Sequence, residues 1–125
     1  MAQRVLVIDD QPALAEIIGQ AFRDDGYETD IAYDGRAGLK MLEQHDHDLV
    51  VTDILMPEFD GLEMIRSIRK HKIVPKVVAI SGGGKFDSRQ LLDVACALGA
   101  DAGMEKPFLP SKLVNLASTL LRTKH

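Results

Sequence analysis

The chain alternates between short apolar runs and segments whose apolar positions return every three or four residues. Strand candidates are Val5 to Ile8, Thr29 to Ala32, Leu49 to Val51, Val77 to Ile80 and a weaker one near Ala102 to Met104. The first, third and fourth runs are apolar without interruption, the pattern of parallel strands covered on both faces. Helical spacing is clearest near the two ends. Leu14, Ile17, Ile18, Ala21 and Phe22 follow i, i+3, i+4, i+7, i+8, and Leu113, Leu116, Ala117, Leu120 and Leu121 repeat it. Pro12 suits a first helical turn, where its missing N–H costs little. Asp60 followed by Glu63 predicts the capped start of a third helix through Ile65 and Ile68. Two more helices are expected near residues 36–45 and 88–98, and Gly26 and Gly99 suit helix stops.

Strict strand–helix alternation implies a parallel sheet with helices on both faces and right-handed crossovers. Five strands in a small domain favour the α/β doubly wound, flavodoxin-like sandwich with strand order 2-1-3-4-5. Ligands then bind at the carboxyl ends of the strands, near the switch between strands 1 and 3.

Composition narrows the class. At 125 residues the chain fits one domain spanning 1–125, with 46% hydrophobic and 27% charged residues. The single cysteine, Cys96, has no partner for an internal disulfide, which suits a reducing cytosol and a cytoplasmic protein. A net charge of −4 argues against nucleic acid as the direct partner. No apolar run approaches the roughly 20 residues that span a bilayer, and the four apolar residues between Arg4 and Asp9 are not expected to act as a signal peptide.

The candidate chemistry sits at the strand ends. Strand 1 ends in Asp9 and Asp10, and strand 3 ends in Asp53. As neighbours these strands would lie about 4.8 Å apart. Strand 4 ends in Ser81, and strand 5 leads to Lys106, roughly 10 Å from Asp53 in backbone. Two carboxylates about 5 Å apart repel by roughly 3 kcal/mol at an effective dielectric near 20. That exceeds two pKa units, so a proton or a cation must settle the cluster. Oxygen ligands that leave room for water fit Mg²⁺ better than zinc. With Lys106 and Ser81 opposite the metal, the group suits a tetrahedral dianion on Asp53.

Asp9 and Asp10, Asp53 followed by Met56-Pro57 and then Asp60-Gly61, Ser81, and Lys106-Pro107-Phe108 resemble the receiver domain of two-component response regulators, in the single-domain form typified by chemotaxis regulators. The resemblance covers essentially the whole chain. It implies that Asp53 accepts a phosphoryl group from the phosphohistidine of a sensor kinase or phosphotransfer protein. It implies Mg²⁺ held by Asp10, Asp53 and the carbonyl of Leu55, with Asp9 acting partly through water. Ser81 would bond the phosphoryl oxygen, Lys106 would pair with it, and the Lys106–Pro107 bond would be cis. The protein would be a switch with self-catalysed acceptance and autodephosphorylation, not a turnover enzyme. It would dock a downstream partner through helix 4, strand 5 and helix 5. Either a stand-alone regulator or a receiver cut from a longer chain fits this reading, and the alternative is a receiver-shaped scaffold that docks without phosphate.

Two features depart from the family pattern. Receivers commonly carry Tyr or Phe three residues before the lysine, and here that position is Gly103. Met104 and Phe108 are the nearby substitutes. Ser81 is followed by Gly82, Gly83 and Gly84, which have the most backbone freedom to lose on ordering and are expected to form a switch loop in place of an aromatic rotamer.

Other motifs have plainer readings. Gly82 to Lys85 is not a phosphate-binding loop, because position 79 is Ala and position 86 is Phe. A flavin-binding reading fails because Asp9 and Asp10 would repel phosphate, and a haloacid-dehalogenase-type phosphatase needs D-x-D where this chain has DDQP. His45 and His47 are expected to be solvated. Arg66, Arg69, Lys70 and Lys72 complement a helix dipole on a wet face. Cys96 is expected to be a buried, inert thiol.

Overall fold

The computed structural model describes residues 2–56, 59–71, 74–82 and 88–122. The chain runs β1 (Arg4–Ile8), α1 (Pro12–Asp24), β2 (Glu28–Ala32), α2 (Gly35–Gln44), β3 (Leu49–Asp53), β4 (Leu55–Met56), β5 (Phe59–Asp60), α3 (Gly61–Arg69), β6 (Lys76–Ser81), α4 (Ser88–Leu98), β7 (Ala102–Glu105) and α5 (Pro110–Arg122). Five parallel strands form one sheet in the order β2-β1-β3-β6-β7. This is the predicted 2-1-3-4-5 order once β4 and β5 are set aside. Those two form a short antiparallel pair after β3, which the hydrophobic pattern did not reveal.

Alternate residues of each central strand feed opposite cores. Leu6, Ile8, Val50, Val77 and Ala79 pack with Met64, Ile65 and Ile68 of α3 and Leu92 and Ala95 of α4. Val5, Val7, Leu49, Val51, Val78 and Ile80 pack with Ile18 and Phe22 of α1 and Leu113 and Ala117 of α5. Burial on both faces is why these strands contain no alternation of polar residues. The weaker signals belong to the edges, since β2 and β7 are only partly covered.

Helix boundaries follow local chemistry. Pro12 opens α1, and Asp34 caps α2 by accepting the Ala37 N–H at 2.7 Å. Gly26 and Gly99 follow α1 and α4 with φ of 94° and 131°, a left-handed backbone that disfavours a side chain. No helix among the described residues is long and apolar enough to cross a membrane.

Two expectations need correction. His45 is exposed as expected, but His47 is 3% exposed. Its Nε2 lies 2.8 Å from Asp30 Oδ2, which also accepts Arg4 Nη1 at 3.2 Å. Asp30 on β2, itself held by Arg4 of β1, serves one nitrogen of the buried imidazole, while Nδ1 has no partner among the described residues, and spacing within HDHD carries no trace of this contact. Cys96 is exposed on α4 and not buried. Partial desolvation, with Asp93 and Asp101 nearby, still pushes its thiol above the ordinary range.

Candidate functional site

Parallel register brings the strand ends level. Ile8 pairs with Thr52, so Asp9 emerges beside Asp53. Ser81 pairs with Glu105, so Lys106 emerges one position beyond the sheet. The Lys106 N–H donates to the Ser81 carbonyl at 2.8 Å, which fixes where the lysine stem begins. The Lys106–Pro107 bond is cis.

The side chains converge as the spacing predicts. Asp9, Asp53 and Ser81 are buried, and Asp10 is half-buried. One oxygen from each of Asp9, Asp10 and Asp53 lies within 4.8 Å of the others. Lys106 Nζ donates to Asp53 Oδ2 at 2.8 Å and stands 3.3 Å from Asp9 Oδ2. The two buried carboxylates are set in the same way. Asp53 Oδ1 accepts the Leu55 N–H and Asp9 Oδ1 accepts the Gln11 N–H, each at 2.9 Å and two residues onward. One oxygen of each is thereby fixed by backbone, and the other turns toward the ammonium.

Burial raises the Asp9 carboxyl above its ordinary range, and the nearby Asp53 charge adds to the rise. The Gln11 N–H and Lys106 oppose it without reversing it. For Lys106, burial works against the ammonium. The bond and charge of Asp53, with Asp9 behind them, outweigh that and lift its pKa.

Two buried polar atoms here, Asp9 Oδ2 and Ser81 Oγ, have no directed hydrogen bond among the described residues. The first lies near enough to Nζ to form an ion pair, but off the hydrogen-bonding direction. An unsatisfied carboxylate oxygen within an all-oxygen trio suits a hard divalent cation. An unsatisfied buried hydroxyl suits a ligand oxygen brought in from outside.

Gly82 is part of this geometry. A Cβ added there would overlap Lys106 Cβ and lie 3.0 Å from its Cγ, so a bare backbone is what lets the lysine stem pass. Gly83 and Gly84, the rest of the expected switch loop, lie outside the described residues.

A family model described as the response regulator receiver domain matches residues 5–118. The chain belongs to that family. Receiver domains are signalling modules that work with histidine kinases or phosphotransfer proteins and downstream effectors, and they bind Mg²⁺ at an acidic pocket. Regulatory protein VanRc of Enterococcus gallinarum is 30% identical over 122 residues, 98% of this chain and 51% of that protein. The chain thus spans about half the length of this curated relative. Among solved structures, the receiver domain of Francisella response regulator 1452 is 29% identical, with a TM-score of 0.85 over 96% of this chain and 97% of that one. NtrX from Brucella abortus is 31% identical, with a TM-score of 0.88 over 97% of this chain and 27% of that one.

This receiver departs from the common pattern at Gly103, which lies exposed on β7 opposite Leu92 of α4. In place of a ring there is an open hollow of about 400 Å³, lined by Arg89, Leu92, Asp93, Cys96, Met104 and Glu105 beside the glycine. Met104 and Phe108 pack against the core on the α1/α5 side, so neither stands in for a ring at position 103.

Sequence reasoning missed Gln11, whose Oε1 accepts from Lys106 Nζ at 3.2 Å. The available signal was its place just before Pro12, where the helix cap is ordinarily Ser, Thr, Asp or Asn.

Proposed function

We propose that the domain receives a phosphoryl group on Asp53 from a phosphohistidine, in a Mg²⁺-dependent reaction, and that the product alters a partner-binding face built from α4, β7 and α5. The observation that carries this reading is the Asp53 carboxylate itself. It is buried, clamped by the Leu55 N–H, paired with Lys106 and set beside two further carboxylates.

In the reaction proposed, an Asp53 carboxylate oxygen attacks phosphorus as the P–N bond to the donor imidazole breaks, and the imidazole leaves with a proton. The Asp53 acyl phosphate so formed is later cleaved by water, returning the carboxylate and releasing inorganic phosphate. Lys106 surrenders its bond to Asp53 and pairs with a phosphoryl oxygen, and the Ser81 hydroxyl donates to another. Asp10, Asp53 and the Leu55 carbonyl would hold Mg²⁺, with Asp9 assisting partly through water. The ion supplies positive charge against the transferred group.

The same reading takes residues 1–125 as one receiver, either acting alone or as the receiver of a longer protein. It makes the molecule a switch and not a turnover enzyme. Incubation with acetyl phosphate and Mg²⁺ should add one phosphoryl mass to the wild type and none to Asp53→Asn. An equal gain in both would remove Asp53 from this role and leave a docking scaffold as the better account.

A further inference from the structure

We infer that Gln11 is a positioning residue of the phosphoryl site, holding the Lys106 ammonium in place while the carboxylates around it change partners. The inference rests on the phosphoryl-acceptor reading above.

Among the described residues, Lys106 Nζ makes two directed hydrogen bonds, to Asp53 Oδ2 at 2.8 Å and to Gln11 Oε1 at 3.2 Å. Asp53 would lose its bond when it becomes the acyl phosphate. Asp9, the nearby ion-pair partner, belongs to the trio that a divalent cation would claim. The Gln11 amide is uncharged and lies outside that trio. It is the one described acceptor on this lysine that neither event requires to move. An ammonium only donates, so the amide oxygen, not the nitrogen, must face it.

The backbone supports this role. Gln11 is the N-cap of α1, with φ −93° and ψ 101°, yet its side chain makes no capping bond. Its N–H is held by Asp9 Oδ1 at 2.9 Å and its carbonyl accepts the Ala15 N–H at 3.0 Å. A cap position ordinarily uses its side chain to satisfy the first helical N–H groups. Here the side chain instead crosses 95 positions of sequence to reach Lys106. Gln11 is exposed, so core packing does not account for the direction it takes. The contact ties the start of α1 to the end of β7 at the mouth of the site.

The test is a double-mutant cycle on the full chain, with phosphoramidate as donor and Mg²⁺ present, following mass gain with time. Gln11→Met keeps the length and removes the acceptor. It should slow phosphorylation about three- to tenfold, the range for the net loss of one ordinary hydrogen bond at an exposed position. Mg²⁺ affinity and the thermal midpoint should stay at their wild-type values. In a Lys106→Met background the same change should slow nothing further, because Gln11 acts through the lysine. An unchanged rate, or the same loss with and without Lys106, would overturn the inference while leaving the acceptor reading intact. Equal mass gain by wild type and Asp53→Asn would instead sink the acceptor reading, and this inference with it.

Discussion

Lys106 Nζ lies 2.8 Å from Asp53 Oδ2 and 3.3 Å from Asp9 Oδ2, so a single ammonium serves two buried carboxylates. A divalent cation would compete for the same oxygens. Lys106→Met should therefore tighten Mg²⁺ binding, by about three- to tenfold after screening, while slowing phosphoryl acceptance. Without metal, the two carboxylates lose their counter-charge, and stability should fall by about 1–3 kcal/mol. Calorimetric Mg²⁺ titration and urea denaturation in chelator read these two effects separately. Weaker Mg²⁺ binding in the variant would show that the ammonium organises the trio instead of competing with the ion.

The lysine reaches the site only because Gly82 has no side chain. Gly82→Ala would place a methyl group onto Lys106 Cβ, against strand-end backbone that cannot easily move. Overpacking of this kind costs about 1–3 kcal/mol. The same shift should displace Nζ from Asp53 and slow acceptance. Denaturant midpoints compared with mass-gain kinetics would check this, and wild-type values in both would show that the lysine stem has another path.

Most of this site was legible because its residues end strands. Asp9, Asp10, Asp53 and Ser81 close apolar runs, and parallel register then decides that they meet. Lys106 follows the weakest strand, yet order 2-1-3-4-5 was enough to place it within reach. The parts that stayed hidden depend on partners distant in sequence. His47 reads as solvated until Asp30, itself held by Arg4, comes in from β2. Cys96 reads as core because its helix is apolar, but it falls on the outer face of α4. Gln11 reads as filler between the Asp9-Asp10 pair and Pro12 until the end of β7 arrives beside it.

The acidic trio should cost stability when no cation is bound. Asp9, Asp10 and Asp53 place three carboxylate oxygens within 4.8 Å of one another, and among the described residues Lys106 is the cation that pairs with them. Asp10→Asn removes one charge from the half-buried edge. It should raise metal-free stability by about 0.5–2 kcal/mol and abolish the further gain that Mg²⁺ gives the wild type. Thermal midpoints with chelator and with millimolar Mg²⁺ provide the check. A wild type indifferent to Mg²⁺ would argue against any cation site in this cluster.

At the opposite end of the sheet, Asp30 joins β2 to both His47 and Arg4. Burial alone would raise its carboxyl, but the bonds and charges of His47 and Arg4 prevail and hold it below the ordinary range. A carboxyl lowered on folding stabilises the native state above its unfolded pKa, about 3.9, and that contribution drains away as pH falls through the lowered folded value. Asp30→Asn should therefore cost about 1–2 kcal/mol near pH 7 and progressively less as pH falls through the lowered folded value. The magnitude is kept modest because the Asp30 side chain is 28% exposed. Urea denaturation at neutral pH, near pH 5 and below pH 3 gives the comparison. A deficit of the same size at all three would mean that Asn fails by shape rather than by charge.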